Sequence, residues 1–328
     1  MPSSLEIEVD IPVIDMSQFP LDCEEGGGLD KLQNHPMVAT VREACIEWGF
    51  FRVVNSGIPT DLLQSVENIS EELFAMPAEA KERATTSNPP ESYSRSSLKE
   101  SFCILKLPHS DSVKELSYKI WPEKGNQKFC ETIGTYTFAM ADFQQKISKL
   151  ILASLGLDVK TFYRSDFQDC LAYMGLLHYF SNGKSTEEEE ALFAHTDLTC
   201  FTILYQVEGG LQVRSSEGKW LNIKPISASF IVNVGDCLKA WSNRRFRSAE
   251  HRVVYKGWKD RLSVPWFVHF PYDKEIWAPE ELVDDYHPRR YRPFIYSQFR
   301  HDFYSNLRST EHNLAAFLDS YAGVCFDD

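Results

Sequence analysis

Cys200-Phe201-Thr202-Ile203-Leu204-Tyr205-Gln206, Leu211-Gln212-Val213-Arg214, Trp220-Leu221-Asn222-Ile223-Lys224 and Ser229-Phe230-Ile231-Val232-Asn233-Val234 are short runs rich in β-branched and aromatic residues. Gly209-Gly210 and Ser216-Glu217-Gly218 lie between them, residue types that let a chain reverse tightly between strands. The same texture extends outward to Leu171–Phe180 before them and to Glu250–Tyr255 and Leu262–Phe270 after them. Short strands recurring every eight to twelve residues or so indicate a sandwich or barrel, and a jelly roll is the expected form. The open mouth of such a fold is a natural place for a small ligand.

The first half reads differently. From Pro36 to Trp48 the apolar residues Met37, Val38, Val41, Ala44, Cys45 and Trp48 recur at helical spacing, with Pro36 suited to a first turn and Gly49 to a stop. A second helix is expected over Asp61–Phe74, capped by Thr60, and the longest over Ile133–Leu155, ending at Gly156. Ile11–Ile14 and Phe50–Val54 read as strands. Thr85–Ser101, rich in Ser, Pro and Glu and without periodicity, reads as a segment lying over a site. The expected architecture is therefore α+β: a jelly-roll core in residues 166–328 with C-terminal helices, and a helix-rich region, residues 1–165, packed on it as one compact unit.

Bulk properties narrow the partners. The formal net charge of −13 opposes binding to a polyanion, so no nucleic-acid partner is expected, and Arg289, Arg290 and Arg292 read as a solvated loop beside prolines. Eight scattered cysteines form no C-x-x-C pair, which argues against a zinc knuckle or disulfide framework. No run reaches the eighteen or so apolar residues of a membrane span, so no membrane association is expected. A monomer in the cytoplasm, or also the nucleus, is the expectation.

His195-Thr196-Asp197 places an imidazole and a carboxylate two residues apart, which in extended backbone aims both to one face. His251, on a later strand, can complete the set across the barrel interior. Two imidazoles and one carboxylate leave open positions on an ion, the arrangement of non-haem iron(II) oxygenases, with zinc a second choice. The tripeptide alone is weak evidence: His109-Ser110-Asp111 repeats it, in a polar stretch that reads as a surface loop. The context of the first copy is Arg261-Leu262-Ser263, where a guanidinium and a hydroxyl two apart on a strand can receive a carboxylate.

Taken together, His195-Thr196-Asp197, Phe201-Thr202-Ile203-Leu204, Gly209-Gly210-Leu211-Gln212-Val213, Val232-Asn233-Val234-Gly235-Asp236, Trp241-Ser242-Asn243, His251-Arg252-Val253 and Arg261-Leu262-Ser263 resemble plant 2-oxoglutarate-dependent dioxygenases. Ile11-Pro12-Val13-Ile14-Asp15 and Trp48-Gly49-Phe50-Phe51 match that family's amino-terminal part, so the resemblance covers nearly the whole chain. Its texture is closest to gibberellin-oxidase-like members.

The resemblance implies a double-stranded β-helix with Fe(II) on His195, Asp197 and His251. It places the distal carboxylate of 2-oxoglutarate on Arg261 and Ser263, with a hydrogen bond from Tyr179, and Phe267 on the substrate side. Tyr93, Phe102, Met174 and Phe193 are further candidates for the substrate pocket, each of a type that also packs in ordinary cores. The implied reaction uses O2 and 2-oxoglutarate to oxidise a small, mostly apolar plant metabolite such as a gibberellin-type hormone, by default through hydroxylation, with ascorbate as a possible reductant. Two departures stand out: Leu177-His178-Tyr179-Phe180 replaces the usual Asn-Tyr-Tyr-Pro, and Ser56 replaces the histidine of an Asn-His-Gly turn. An alternating strand aims His178 away from Tyr179, a structural position. The rival readings are a sister oxygenase that draws electrons from ascorbate, and a non-catalytic ligand-binding protein on the same scaffold.

Overall fold

The computed structural model describes residues 8–20, 29–86, 93–108, 111–181, 189–255, 259–307 and 316–324. Two sheets dominate. The larger has eight strands in the spatial order Val13–Asp15, Phe50–Val54, Phe230–Val234, Phe201–Gln206, Arg261–His269, Leu171–Tyr179, Lys99–Leu107 and Ser94–Arg95. The smaller has five, in the order Glu8–Val9, Trp220–Ile223, Leu211–Arg214, His251–Tyr255 and Glu189–His195. Mixed sheets with an antiparallel core and flanking helices make this the α+β jelly roll expected from the strand texture. Strands from the first half enter the larger sheet at both ends, so the helix-rich region is stitched into the barrel rather than merely set against it.

Side-chain alternation on the larger sheet fixes what faces what. Phe201, Ile203, Phe230, Val232, Trp266, Val268, Met174 and Leu176 point one way and join the main core with the helices. Residues of opposite parity, such as Thr202, Asn233, Ser263, Phe267 and Leu177, line the space between the sheets. Beneath the first face runs the longest helix, Gln127–Ser154, whose Ile133, Tyr136, Met140, Phe143 and Ile147 are buried against the sheet. Each fully buried apolar side chain of this size contributes about 1.5–3 kcal/mol, so this interface holds the sheet rigid. Trp266 Nε1 donates to Gln144 Oε1 at 2.8 Å inside it, satisfying a polar atom that burial would otherwise penalise. A smaller cluster of Ile11, Phe50, Leu211, Val213, Leu221, Ile223 and Ile231 packs between the two sheets.

The helices differ from expectation at their ends. Asn126 caps the long helix by accepting from Phe129 N at 2.9 Å, nearly two turns earlier than the apolar period suggested. Thr60 is the first residue of the Thr60–Phe74 helix rather than its cap; Pro59 holds that position and no side chain closes it. The greater difference is Thr85–Ser101. Within it Ser94–Arg95 and the start of Lys99–Leu107 form a β-hairpin on the edge of the large sheet, paired Ser94 to Ser101 and Arg95 to Glu100. Buried Glu100 at a helix-facing position disguises the alternation of that strand. Glu189–His195 was hidden in the same way, by acidic residues at its start.

Two glycines permit the close approaches that build the site. Gly49, at φ +69°, turns the chain into Phe50, and a Cβ there would fall 2.3 Å from Arg247 O. Gly235 lets the chain leaving Phe230–Val234 lie against the turn after His195: a Cβ would meet Thr199 O at 2.1 Å. The bond from Asp236 N to Asp197 O, 2.7 Å, fastens that contact. Among the described residues no helix is long and apolar enough to cross a membrane.

Candidate active site

His195 ends the Glu189–His195 strand and Asp197 lies just past it, in the turn that Gly235 packs against. His251 opens the adjacent antiparallel strand and pairs directly with His195. The two imidazoles thus come from neighbouring strands of one sheet, not from opposite sides of the barrel as the sequence reading had it; their centroids are 4.4 Å apart. Asp197 Oδ1 stands 3.8 Å from Nε2 of each. Ligand atoms of all three lie within 4.8 Å of one another, and among the described residues they form the one His/Cys/Asp/Glu cluster able to hold a metal.

Each donor is prepared by its surroundings. Nδ1 of His195 lies 2.7 Å from Phe193 O and Nδ1 of His251 lies 3.2 Å from Ala249 O, so each carries its proton there and leaves Nε2 with a lone pair. Asp197 Oδ2 accepts from Thr202 Oγ1 at 2.6 Å and from Asn233 Nδ2 at 2.7 Å, leaving Oδ1 to face the rings. Burial drives the His195 imidazole down to about 4, helped by the neighbouring His251, so the ring is neutral at physiological pH. Burial by itself would raise the Asp197 carboxyl, but both imidazoles and the two hydrogen bonds outweigh it and hold the group ionised. Two imidazoles and one carboxylate, turned inward by second partners, fit a divalent transition-metal ion such as iron(II) with positions to spare.

The triad stands where two chambers meet. The inner one, about 70 Å³, is lined by Phe50, Tyr179, Leu204, Asn233, Arg261 and Ser263 besides the triad. Arg261 is buried there; its Nε donates to Gly209 O at 2.8 Å, Nη1 to Ser263 Oγ at 3.2 Å and Nη2 to Gln206 Oε1 at 3.1 Å, and its guanidinium stacks 4.7 Å over the Tyr179 ring. Arg261 and Tyr179 are cross-strand partners, so this end of the chamber is set by sheet register.

The outer chamber, about 400 Å³, is lined by Tyr173, Leu198, Phe193, Phe267, Phe303 and Tyr304 among others, and opens onto His195 and Asp197. Phe267 stacks on Tyr173 at 4.6 Å, and Phe193 sits edge-on to His195 at 5.6 Å. Phe102, though rooted in the main core, also reaches this wall. Met174 does not: it has the parity of the helix-facing row, and its neighbour Tyr173 takes the place assigned to it. Tyr93 is also displaced, bonding Glu100 Oε2 at 2.5 Å in the core beside a separate pocket. His178 joins Glu100 and Asp260 on the helix side, away from Tyr179. Of the second H-x-D copy, His109 and Ser110 fall outside the described residues, and Asp111 is exposed.

Comparison with known proteins agrees with this geometry. The model for the 2OG-Fe(II) oxygenase superfamily matches residues 173–270, and that for the non-haem dioxygenase N-terminal region, described from morphine synthesis, matches residues 11–124. A probable 2-oxoglutarate-dependent dioxygenase of Arabidopsis thaliana, AOP1, is 30% identical over 95% of this chain and 97% of its own length.

The chain belongs to the plant 2-oxoglutarate- and Fe(II)-dependent dioxygenase family.

A gibberellin 20-oxidase-like protein of the same plant is 32% identical over 84% of this chain and 86% of its own. The crystal structure of the rice dioxygenase for auxin oxidation superposes with a TM-score of 0.79 at 30% identity, covering 95% of this chain and all of that one. The dioxygenase therefore uses iron(II) and 2-oxoglutarate, which removes the non-catalytic and ascorbate-only alternatives. The residues that sequence reasoning missed are those that hold ligands or wall the outer chamber: Thr202 and Asn233, opposite each other in register, and Tyr173, Leu192, Lys99, Phe303 and Tyr304. Alternation within their own strands, where Phe201, Ile203, Phe230 and Val232 take the core face, would have found the first pair; nothing local to the sequence brings Phe303 and Tyr304 to the barrel mouth.

Proposed function

We propose that this dioxygenase oxidises a small, mostly apolar plant metabolite, by default through hydroxylation, with 2-oxoglutarate in the inner chamber and the metabolite in the outer one. The observation that carries this reading is the pair of unlike chambers meeting at the triad, one ending in Arg261, Ser263 and Tyr179, the other walled by aromatic rings. Iron(II) with 2-oxoglutarate and O2 supplies the oxidising chemistry, releasing succinate and CO2 as the metabolite is oxidised. Arg261 and Ser263 receive the far carboxylate and fix the orientation of the keto acid, and Tyr179 buttresses the guanidinium. Thr202 and Asn233 hold Asp197 with one oxygen toward the metal position. Phe193, Phe267 and Tyr173 place the reacting C–H bond near His195 and Asp197 and keep bulk water away. The names of the relatives, which speak of gibberellin and auxin oxidation, support a hormone or specialised metabolite of this size.

The test is succinate release by the full chain with iron(II), 2-oxoglutarate and O2 across a panel of apolar plant metabolites. Stimulation by a member that fits about 400 Å³, with an oxidised product in equal amount, is the expected result. Product without succinate, or a panel that leaves succinate release at its background level, would overturn the reading.

A further inference from the structure

Among the described residues, Lys99 is the one Lys or Arg in the wall of the outer chamber. Lys99, Ser101 and Cys103 share one face of the Lys99–Leu107 strand, and all three line the chamber. Lys99 pairs in register with Tyr179 but lines the outer chamber and not the inner one, so its ammonium belongs to the metabolite's side of the triad. Across the hairpin Ser94 Oγ lies 2.8 Å from Ser101 Oγ, and both hydroxyl residues line the same chamber as Lys99. The Lys99 side chain is half-buried, and among the described residues no carboxylate pairs with it. This contrasts with Lys81 on the helix side, which is bonded to Glu100 at 2.7 Å.

The Asp197 carboxylate in the same chamber faces the two imidazoles, so among the described residues the Lys99 ammonium is drawn part-way out of water without an ion-pair partner, a state that becomes favourable when an anion arrives. Burial lowers the Lys99 amine from its ordinary value, in keeping with that desolvation. A chamber of this size that offers one ammonium with Ser94 and Ser101 on the same wall, and aromatic and aliphatic side chains such as Tyr173, Leu192, Phe193 and Phe267 elsewhere, has the recognition chemistry of a molecule with a single acidic end and an apolar body.

We propose that Lys99, with Ser94 and Ser101 on the same wall, anchors a carboxylate of the substrate, and that the substrates of this dioxygenase are small monocarboxylic acids whose apolar body lies across Phe267 and Tyr173 toward the triad. This rests on the outer chamber being the metabolite's site. Lys99 is a specificity-determining residue: it touches the substrate's far end and takes no part in the reacting bond.

The experiment uses the full chain loaded with iron(II) and 2-oxoglutarate without O2. A panel of aryl- and alkylacetic acids and the corresponding neutral amides is titrated, and binding is read from the change each causes in the visible band of the iron-bound keto acid. The acids are expected to bind about 10-fold or more tighter than their amides, a preference that Lys99→Met abolishes and Lys99→Arg keeps, with the affinity for 2-oxoglutarate within about two-fold of wild type in both. Amides that perturb the band as well as the acids do would overturn the role of Lys99 while leaving the chamber as the metabolite's site. A Lys99→Met protein that keeps the preference, or that loses affinity for 2-oxoglutarate instead, would overturn it too. If neither acids nor amides perturb the band, the reading of the outer chamber fails, and this proposal with it.

Discussion

The two chambers on either side of His195 and Asp197 are built by opposite means. The inner one is made almost wholly from residues at fixed parity on paired strands: Tyr179 opposite Arg261, Leu177 opposite Ser263, Thr202 opposite Asn233 and His195 opposite His251. Its shape follows from sheet register, and a one-residue slip would turn every one of these side chains outward. The outer one is walled by an edge hairpin, by Phe193 near a strand end, and by Phe303 and Tyr304 from the Tyr296–Leu307 helix. Elements at an edge or terminus can vary without disturbing the barrel, which is the division of labour expected if, as proposed, the cosubstrate takes the inner chamber and the metabolite the outer one.

The contrast can be broken most severely at the triad. Asp197→Ala removes the one carboxylate facing both imidazoles and should cut turnover by about 1,000-fold or more while the far-ultraviolet circular dichroism stays that of wild type. Retained turnover would end the assignment. Arg261→Gln tests the far wall of the inner chamber: the KM for 2-oxoglutarate should rise about 100-fold, with substrate affinity measured at saturating 2-oxoglutarate changed far less. Equal effects on both would mean that the chambers are not separate sites.

A smaller effect is expected from Thr202→Val, which leaves one hydrogen bond, that of Asn233, on Asp197 Oδ2. Iron(II) affinity should fall about 10-fold, as measured by competition with a chelator. The smallest sharpens the contrast in stability. His269 sits at the end of the Arg261–His269 strand, stacked 5.1 Å from Tyr296 at the base of the helix that carries Phe303 and Tyr304. Burial takes its imidazole down to about 4, so it is neutral in the fold while an unfolded chain would titrate near 6.5. A group with a depressed folded pKa gives its full stability above 6.5, and that contribution is lost as pH falls from there to about 4. His269→Phe should therefore lose less melting temperature than wild type between pH 7 and pH 5, by a few degrees, in thermal unfolding followed by fluorescence.

The same contrast explains what could be read from the amino-acid order. His195 and Asp197, and Arg261 and Ser263, could be singled out because strand alternation makes a spacing of two equivalent to a shared direction, whereas Tyr179 came only from the family resemblance; the structure brings all of them, with His251, to one cavity. Met174 and Tyr93 were misplaced because apolar or aromatic character does not say which face of a sheet a residue takes; Met174 is one position out of phase with Tyr173. The Lys99–Leu107 strand was obscured by Glu100, a charged residue facing the core, whose partners Lys81 and His178 lie far away in sequence. Phe303 and Tyr304 reach the mouth through long-range packing of a C-terminal helix, which no local period encodes.

The most direct test of the account is an anaerobic titration of the full chain with iron(II) and then 2-oxoglutarate, followed by visible absorption. A charge-transfer band at one iron and one keto acid per chain, absent in His251→Ala and requiring much more 2-oxoglutarate in Arg261→Gln, is the expected result. A wild-type protein that gives no band, or a His251→Ala protein whose band matches it, would contradict the claim that these side chains converge on one metal and one cosubstrate.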